Sequence, residues 1–194
     1  MKQLVMPDKL ITFSGRFQPF GPHHYRAYKH LWKKFGICYI TTSNKIEYPD
    51  SPFSFVEKKF IMTEMFSIGE AVIWNVSRPY NAMSMVREEY HNKPFITALS
   101  EKDADRLTHS SYFQMYSEDI ELLPMSEAGY IYILPEFKYK ESEMNGTILR
   151  NGFAFERFKR KLFKDIYGEF NEDVFKLITS RLSFMKLMKE EHRK

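Results

Sequence analysis

One ten-residue segment near the N-terminus carries side chains suited to binding an anion. The segment 15–24 reads GRFQPFGPHH and joins an apolar run to a helical stretch. Gly15 permits a sharp turn, and the proline before the two histidines suits the first turn of a helix. His23 and His24 then lie at a helix N-terminus, where imidazole N–H groups, the helix dipole and nearby Arg16 favour a phosphate. The segment therefore indicates a phosphate site, with a pair of surface histidines that ends a loop as the alternative.

A second polar pair, Lys102 and Asp103, follows the apolar run at residues 95–99. A lysine in this position could meet a phosphate, and an aspartate could hold a metal ion or a ribose hydroxyl. The alternative is an ion pair on the surface, which has little energetic effect.

Apolar runs alternate with amphipathic stretches over the first 134 residues. Strands are predicted at residues 9–17, 37–42, 70–76, 95–99 and 129–134. Helices are predicted at residues 23–35, 54–66 and 81–91, whereas residues 108–127 are predicted to be irregular and 144–152 to form a loop. This alternation predicts an α/β fold with a parallel sheet, whose ligands bind outside the carboxyl ends of the strands. Residues 15–24, residues 100–103 and the segment after residue 134 follow such ends.

Composition narrows the class of protein. The chain has 194 residues, of which 43% are hydrophobic and 28% charged, as in ordinary globular domains. Cys38 is the one cysteine, so no disulfide framework forms and a zinc site built on thiolates is excluded. The sequence contains no apolar run of about 18 residues, so we expect no membrane span and no membrane partner. The N-terminal residues lack the apolar core of a secretory signal, and a cytoplasmic location is expected.

The net charge of +4 is confined to the C-terminal fifth of the chain. Residues 156–194 contain 11 basic and 7 acidic side chains, which leaves 18 of each in residues 1–155. Apolar side chains recur every three or four residues in the basic segment, which predicts amphipathic helices with a solvated basic face. These apolar positions are Phe158, Leu162, Phe163, Ile166, Phe170, Val174, Leu177 and Ile178. Nucleic acid is therefore not the expected partner, although a polyanion-binding surface on these helices is an alternative.

The order of residues 15–20, GRFQPF, resembles the signature of the H-x-G-H nucleotidyltransferase superfamily, which includes nicotinamide-nucleotide adenylyltransferases and cytidylyltransferases. On this signature the H-x-G-H tetrad falls on residues 21–24, so the last histidine is His24. Gly21 stands where the family has its first histidine, and His23 stands where the family has glycine. In the family, the two histidines contact the phosphates of a nucleoside triphosphate and stabilise charge at the α-phosphorus.

A second resemblance lies at residues 144–150, MNGTILR, which is similar to the family's I-S-[ST]-T-x-I-R or I-S-G-T-x-I-R element. Gly146, Thr147 and Arg150 match it, and Asn145 replaces the first serine. In the family this element begins a helix and holds the β- and γ-phosphates; a plain helix cap is the alternative here. Further segments resemble, in the same order, the phage-type branch of cytidylyltransferase-like proteins; they are SPFSF at 51–55, RPY at 78–80, LSEKD at 99–103, SYFQ at 111–114 and GYIY at 129–132.

The resemblance implies a Rossmann-like three-layer α/β fold and a transfer reaction. A nucleoside monophosphate would pass from a nucleoside triphosphate to a phosphate-bearing acceptor, with Mg²⁺ bound to the triphosphate and pyrophosphate released. The site residues implied fall into three groups. The catalytic group is His24, His23 and Arg16; the nucleotide- and phosphate-binding group is Gly15, Phe17, Gln18, Gly146, Thr147 and Arg150; the acceptor or nucleoside side is Lys102, Asp103 and Arg78.

Two alternatives remain within this fold. One is a nicotinamide-nucleotide adenylyltransferase, the branch in which GRFQPF is most familiar. The other is a nucleotide-binding or scaffold protein that has lost turnover, which Gly21 and Asn145 favour. Residues 1–152 are predicted to form the nucleotidyltransferase domain and residues 153–194 a helical extension packed on it, with a homo-oligomer left open.

Overall fold

The computed structural model describes residues 8–80, 90–137, 146–155 and 157–191, with side chains through residue 183. It contains six strands and six α-helices in the described residues. The strands are β1 (Leu10–Ser14), β2 (Tyr39–Thr42), β3 (Ile73–Asn75), β4 (Phe95–Leu99), β5 (Phe113–Met115) and β6 (Gly129–Ile133). The helices are α1 (Pro22–Phe35), α2 (Phe55–Phe66), α3 (Glu101–Thr108), α4 (Gly146–Phe155), α5 (Lys159–Tyr167) and α6 (Glu172–Glu191), and a short 3₁₀ turn spans Glu70–Val72.

All six strands form one parallel sheet in the order β3-β2-β1-β4-β6-β5. The chain builds outward from β1 through β2 to β3, and then returns to the other side of β1 with β4. The direction of building therefore reverses between β1 and β4, where Thr12 of β1 lies opposite Thr97 of β4. Such a reversal leaves a crevice at the carboxyl ends of the two central strands.

The predicted α/β, Rossmann-like fold is confirmed, with one strand more than the expected five. The additional strand, β5, is a three-residue edge strand within residues 108–127, which is too short to produce a readable alternation. Ser54 caps α2, the helix predicted at residues 54–66: its Oγ accepts the N–H of Glu57, and the Glu57 carboxylate accepts the N–H of Ser54. The helix predicted at residues 81–91 falls largely on residues 81–89, which lie outside the described residues.

Two helices arise where none was predicted. Ser100 caps α3, and Ala104 and Leu107 bury its short apolar edge. The predicted loop at residues 144–152 is wrong from Gly146 onward, because α4 begins there and buries Leu149, Phe153 and Ala154 along one face. Leu149, Phe153 and Ala154 follow the spacing of a helix, but the helix has only ten residues, so the sequence shows little of that periodicity.

The strands alternate between two buried clusters. Ile11 and Phe13 of β1 join the larger cluster, whereas Leu10 joins the smaller one on the opposite face of the sheet. The larger cluster includes residues of α1, α2, α4, α5 and α6, and the smaller one includes residues of α3.

The C-terminal helices contribute to the larger cluster. Phe163, Val174, Ile178 and Leu182 are fully buried, so α5 and α6 share the core of the sheet. Phe158, predicted to be part of the apolar stripe, is instead 70% exposed because it lies just before α5 begins. The predicted division at residue 152 falls inside α4 and stays a prediction. No helix among the described residues is both long and apolar enough to cross a membrane.

Candidate phosphate-binding site

Hydroxyl groups join the central strands at their carboxyl ends. Ser14 Oγ lies 2.8 Å from Thr41 Oγ1 of β2 and 3.1 Å from Thr97 Oγ1 of β4. All three side chains are buried, and together they connect β2, β1 and β4 directly before the chain enters the loop of residues 15–21. The loop that carries the predicted site therefore leaves a fixed point of the sheet.

The strained residue of this loop is Phe17 rather than Gly15. Phe17 has a φ of 48°, in the left-handed region that side chains other than glycine rarely adopt. Its ring contacts the rings of Phe13 and Phe20, with centroids 5.0 Å and 5.3 Å away. Gly15 is needed for close approach, since a Cβ there would lie 2.8 Å from Phe17 Cζ. The Phe17 ring thus packs the loop. Glycine was predicted at position 15 for a sharp turn, but the structure requires it there because the Phe17 ring approaches closely.

Gln18 fixes the loop to the segment before α2. Its Nε2 donates to the carbonyl of Phe53 at 3.1 Å, and its Oε1 accepts the N–H of Phe53 at 2.8 Å. The Gln18 side chain is 4% exposed. Both ends of the amide are thus used within the protein, so Gln18 shapes the loop.

His24 is placed by its own helix. Its Nδ1 accepts the backbone N–H of Gly21 at 3.0 Å, which leaves the proton of the neutral ring on Nε2. The rings of Phe17 and Phe20 lie 5.0 Å and 5.2 Å from the imidazole. Burial, reinforced by His23, holds the pKa of His24 well below 6.5. His24 is therefore a neutral imidazole whose Nε2–H is a hydrogen-bond donor.

The His23 ring contacts that of His24, with centroids 3.8 Å apart and the two planes tilted by 40°. Burial lowers the pKa of His23 to about 4. Its Nδ1 is buried and has no hydrogen-bond partner among the described residues. A buried polar atom without a partner is uncommon in proteins, and at this place it adds an unsatisfied group to the N-terminus of α1.

The first position of the tetrad is closed by packing. A Cβ at Gly21 would lie 2.9 Å from Leu149 Cδ1 of α4 and 3.2 Å from Cε1 of His23. Gly21 has extended backbone angles that any residue can adopt, so its small size is what the position requires. A histidine at this position, which the resemblance expects, would thus require Leu149 of α4 and His23 of α1 to shift.

The N-terminus of α4 contacts the same loop. Arg150 Nη1 donates to the carbonyl of Gln18 at 2.8 Å, and Nη2 donates to Thr147 Oγ1 at 3.1 Å. A Cβ at Gly146 would lie 3.1 Å from the Gln18 carbonyl oxygen, so the start of α4 also touches the loop. Gly146, Thr147 and Arg150 are therefore brought to the β1–α1 loop, whereas Asn145 lies outside the described residues.

Asp50 provides a carboxylate 3.6 Å from Arg150 Nη2 and is itself largely exposed. Burial lowers the pKa of Arg150, Asp50 opposes that shift, and Arg16 adds to it. Arginine stays charged in proteins, so the start of α4 carries a partly buried cation.

The other flank of the loop is formed by residues after β3 and β4. The Arg16 side chain is exposed, and its charge acts on the Tyr80 hydroxyl. Burial raises the pKa of Tyr80, Asp103 raises it further, and the charge of Arg16 lowers it. The Arg106 guanidinium lies 5.2 Å from the centre of the Tyr80 ring. Tyr80 was noted from the sequence only as part of the RPY segment and Arg106 not at all; neither was predicted as a site residue, because nothing in the local pattern gives either a role.

The three residues predicted on this flank differ in their surroundings. Asp103 belongs to the first turn of α3, where its carboxylate accepts from Ser100 Oγ at 3.2 Å and from Arg106 Nε at 3.0 Å. Lys102, in the same turn, and Arg78, after β3, are exposed. Asp103 is thus committed to its helix, and the cations beside it face solvent.

Metal binding by the protein itself finds little support in the described part of the chain, which brings no three His, Cys, Asp or Glu side chains together. Mg²⁺ usually binds through substrate phosphates and water with one or two carboxylates. The Mg²⁺ that the resemblance implies, bound to the triphosphate, stays a prediction.

Comparisons with known proteins place the fold. No model of a known protein family matches the chain, and no curated protein matches it. Solved structures do match, among them a bifunctional NMN adenylyltransferase/ADP-ribose pyrophosphatase from Francisella tularensis, with a TM-score of 0.53 and 16% identity over 97% of this chain. A second structure of such an enzyme from that organism, complexed with AMP and a manganese ion, gives a TM-score of 0.49 at 16% identity over 95% of this chain. The chain spans 57% and 55% of the lengths of these two proteins. At this identity the likeness establishes a shared fold.

Proposed function

We propose that the protein is a nucleotidyltransferase that moves a nucleoside monophosphate from a nucleoside triphosphate to a phosphate-bearing acceptor. The observation that carries the proposal is the convergence of two helix N-termini on one loop. The Arg150–Gln18 hydrogen bond brings the start of α4 to the loop that ends in His24. Backbone N–H groups at two helix starts, a guanidinium and an imidazole donor suit a polyphosphate. The fold shared with a protein that includes an NMN adenylyltransferase supports this assignment.

The reaction is a direct displacement at the α-phosphorus. An oxygen of the acceptor phosphate forms the new P–O bond, and the bond between the α-phosphorus and the bridging oxygen breaks to release pyrophosphate. His24 Nε2–H donates to a non-bridging oxygen of the α-phosphate as negative charge develops there. A neutral imidazole suits this role, because its donor is already oriented by the Gly21 N–H and needs no proton from solvent.

The leaving pyrophosphate is held at the start of α4. Thr147 and Arg150 supply side-chain donors, and the first N–H groups of the helix supply backbone donors. Arg16, Arg78 and Lys102 line the opposite flank and hold the acceptor or the nucleoside. The His23 ring contacts the His24 ring and keeps it in place.

The test is nucleotide binding followed by turnover. Magnesium complexes of ATP and CTP are added separately, and the midpoint of heat denaturation is measured. The proposal expects one of them to raise the midpoint by several degrees, since a ligand that binds only the folded chain stabilises it. Pyrophosphate release is then measured with nicotinamide mononucleotide and a panel of other phosphate-bearing acceptors. A rise with either nucleotide and release with at least one acceptor supports the proposal; no shift with either nucleotide contradicts it.

A second candidate is a nucleotide-binding protein without turnover. The observation that favours it is the space at Gly21, where an added Cβ would lie 2.9 Å from Leu149 Cδ1, so a first tetrad histidine would require Leu149 and His23 to shift. This candidate expects the same stabilisation by a triphosphate, but no pyrophosphate release with any acceptor. The two candidates are thus separated by the second half of the experiment.

A further inference from the structure

Lys58 is a lysine whose side chain is completely buried. It belongs to the first turns of α2 and has no exposed surface. Its Nζ donates to Thr42 Oγ1 at 2.8 Å, to the Arg16 carbonyl at 3.3 Å and to the Ser43 carbonyl. One ammonium group therefore joins α2, the carboxyl end of β2 and the β1–α1 loop.

The Arg16 carbonyl receives a second hydrogen bond from Thr42 Oγ1 at 3.3 Å. This carbonyl directly precedes Phe17, the residue in the left-handed region. Two donors fix the peptide at the place where the loop makes its strained turn. Lys58 therefore holds the conformation that presents His24 and the Gln18 carbonyl to their partners.

The charge of Lys58 has no acidic partner in the described part of the chain, where each of its three hydrogen-bond acceptors is an uncharged oxygen. Burial alone lowers the pKa of Lys58 to about 8. A buried cation without a counter-ion is costly, so an anion bound nearby would stabilise it. The adjacent lysine differs, because Lys59 reaches the surface and pairs with Glu70 at 2.7 Å.

We propose that Lys58 is a positioning residue of the phosphate site: it fixes the β1–α1 loop through the Arg16 carbonyl, and its unneutralised charge attracts the polyphosphate. This inference rests on the proposed function, because it assigns a role at the same site. It adds a residue to which the resemblance assigned no role, and that residue acts through the loop backbone. The buried position makes its charge effective, since electrostatic interactions are weakly screened away from water.

The test compares Lys58→Met and Lys58→Arg with Lys59→Met as the matched control. Dissociation constants are measured at pH 7 for ATP and CTP, and for AMP and CMP. Lys58→Met is expected to weaken triphosphate binding about tenfold, equivalent to roughly 1.4 kcal/mol, and monophosphate binding by clearly less. Lys58→Arg keeps the charge and restores most of the affinity, and Lys59→Met leaves it unchanged.

The outcomes separate the two proposals. Failure of the unsubstituted protein to bind either triphosphate overturns the proposed function. Triphosphate binding that Lys58→Met leaves unchanged, or an equal loss for mono- and triphosphates, overturns the role of Lys58, since a purely structural role would not depend on the ligand's charge.

A second measurement needs no substitution, in case Lys58→Met does not fold. Between pH 7 and 9 the unsubstituted protein is expected to lose triphosphate affinity several-fold as Lys58 loses its proton. The charged groups on the surrounding elements are Arg16 on the loop and the Glu57–Arg181 pair between α2 and α6. The terminal phosphates of the nucleotides are already ionised in this range. A flat profile in the unsubstituted protein overturns the role of Lys58.

Discussion

One hydrogen bond and the neighbouring aromatic rings fix the position of the His24 imidazole. Because Nδ1 accepts from the Gly21 N–H, the ring presents Nε2–H as its donor. A donor that acts mainly on the transition state affects the rate more than the binding of the ground state. We therefore expect His24→Ala to reduce turnover on the order of 100-fold while triphosphate affinity changes only about threefold or less.

The control for this variant is His30→Ala. His30 lies farther along α1 and shares a hydrogen bond of 2.8 Å with the Tyr132 hydroxyl, away from the phosphate loop. Its turnover should match that of the unsubstituted protein. Equal losses of turnover and affinity in His24→Ala would remove the transition-state role.

A substitution at Gly21 tests the packing between the start of α1 and α4. Gly21→Ala places a Cβ 2.9 Å from Leu149 Cδ1, and Leu149 is fully buried. Overpacking of this kind destabilises by about 1–3 kcal/mol, so the urea midpoint of unfolding should fall. Gly69→Ala is the matched control, since a Cβ there meets nothing within 4 Å and its φ is −62°. Equal stability of the two variants would mean that Gly21 is not a packing requirement.

At the scale of elements, the contact between α4 and the β1–α1 loop depends on a forked side chain. Arg150 reaches the Gln18 carbonyl and Thr147 Oγ1 with two different nitrogens, which a lysine cannot do from one ammonium. Arg150→Lys is expected to weaken triphosphate binding about tenfold and to lower the free energy of unfolding by about 1–2 kcal/mol. Calorimetric titration and urea unfolding measure the two effects.

Arg160→Lys provides the comparison for that substitution. Arg160 also makes a forked contact, with Glu172 at 2.9 Å and 3.0 Å, but on the exposed surface between α5 and α6. Exposed ion pairs contribute little, so neither affinity nor stability should change measurably. If Arg160→Lys reduced affinity as much as Arg150→Lys, the effect would be one of general charge rather than of the α4 contact.

The elements differ in how far the sequence predicts them. The starts of α1 and α2 depend on short-range signals in the sequence. Both helices begin where those signals occur, at Pro22 and directly after Ser54. By contrast, α4 was predicted as a loop, because its apolar face is readable only once the loop and α6 are in place to cover it. Lys58 was missed for a related reason: in a helix a lysine is normally solvated, and only the tertiary contacts of α2 bury it.

Within the site, the sequence predicts the features that depend on neighbouring residues but not those that depend on contacts between distant parts of the chain. Residues 15–24 form the predicted loop and helix start, but the left-handed residue is Phe17, which no propensity favours. Gln18 is held by Phe53, 35 positions later, and Arg150 by Gln18, 132 positions earlier. Pairings over such distances depend on the order of strands in the sheet, which the pattern of apolar residues does not specify.

For the whole molecule, the half-buried histidine pair at the start of α1 links stability to pH. Burial lowers the pKa of folded His23 from 6.5 to about 4, so the unfolded chain binds the proton more readily between these values. Stability is therefore fully present above pH 6.5 and is lost as pH falls toward 4. Between pH 6.5 and 5 the loss due to His23 should be about 1–2 kcal/mol by urea unfolding. His23→Asn should show a flatter dependence over that range; an unchanged slope would mean that His23 does not carry the effect.

The positions of the C-terminal helices also change how the net charge of the molecule is interpreted. The basic excess lies in residues 156–194, and the described part of that segment contributes Phe163, Val174 and Ile178 to the core while its charged side chains face outward. Only a few cationic side chains of the described residues lie at the β1–α1 loop, and they do not form a continuous basic surface. They suit one small polyphosphate rather than an extended polyanion.

The most direct test of the account is a crystal structure of the protein with the magnesium complex of ATP or CTP. The account predicts the α-phosphate within hydrogen-bond distance of His24 Nε2 and the terminal phosphates at the start of α4, beside Thr147 and Arg150. A nucleotide bound away from the β1–α1 loop, or phosphates out of reach of both His24 and Arg150, would contradict it.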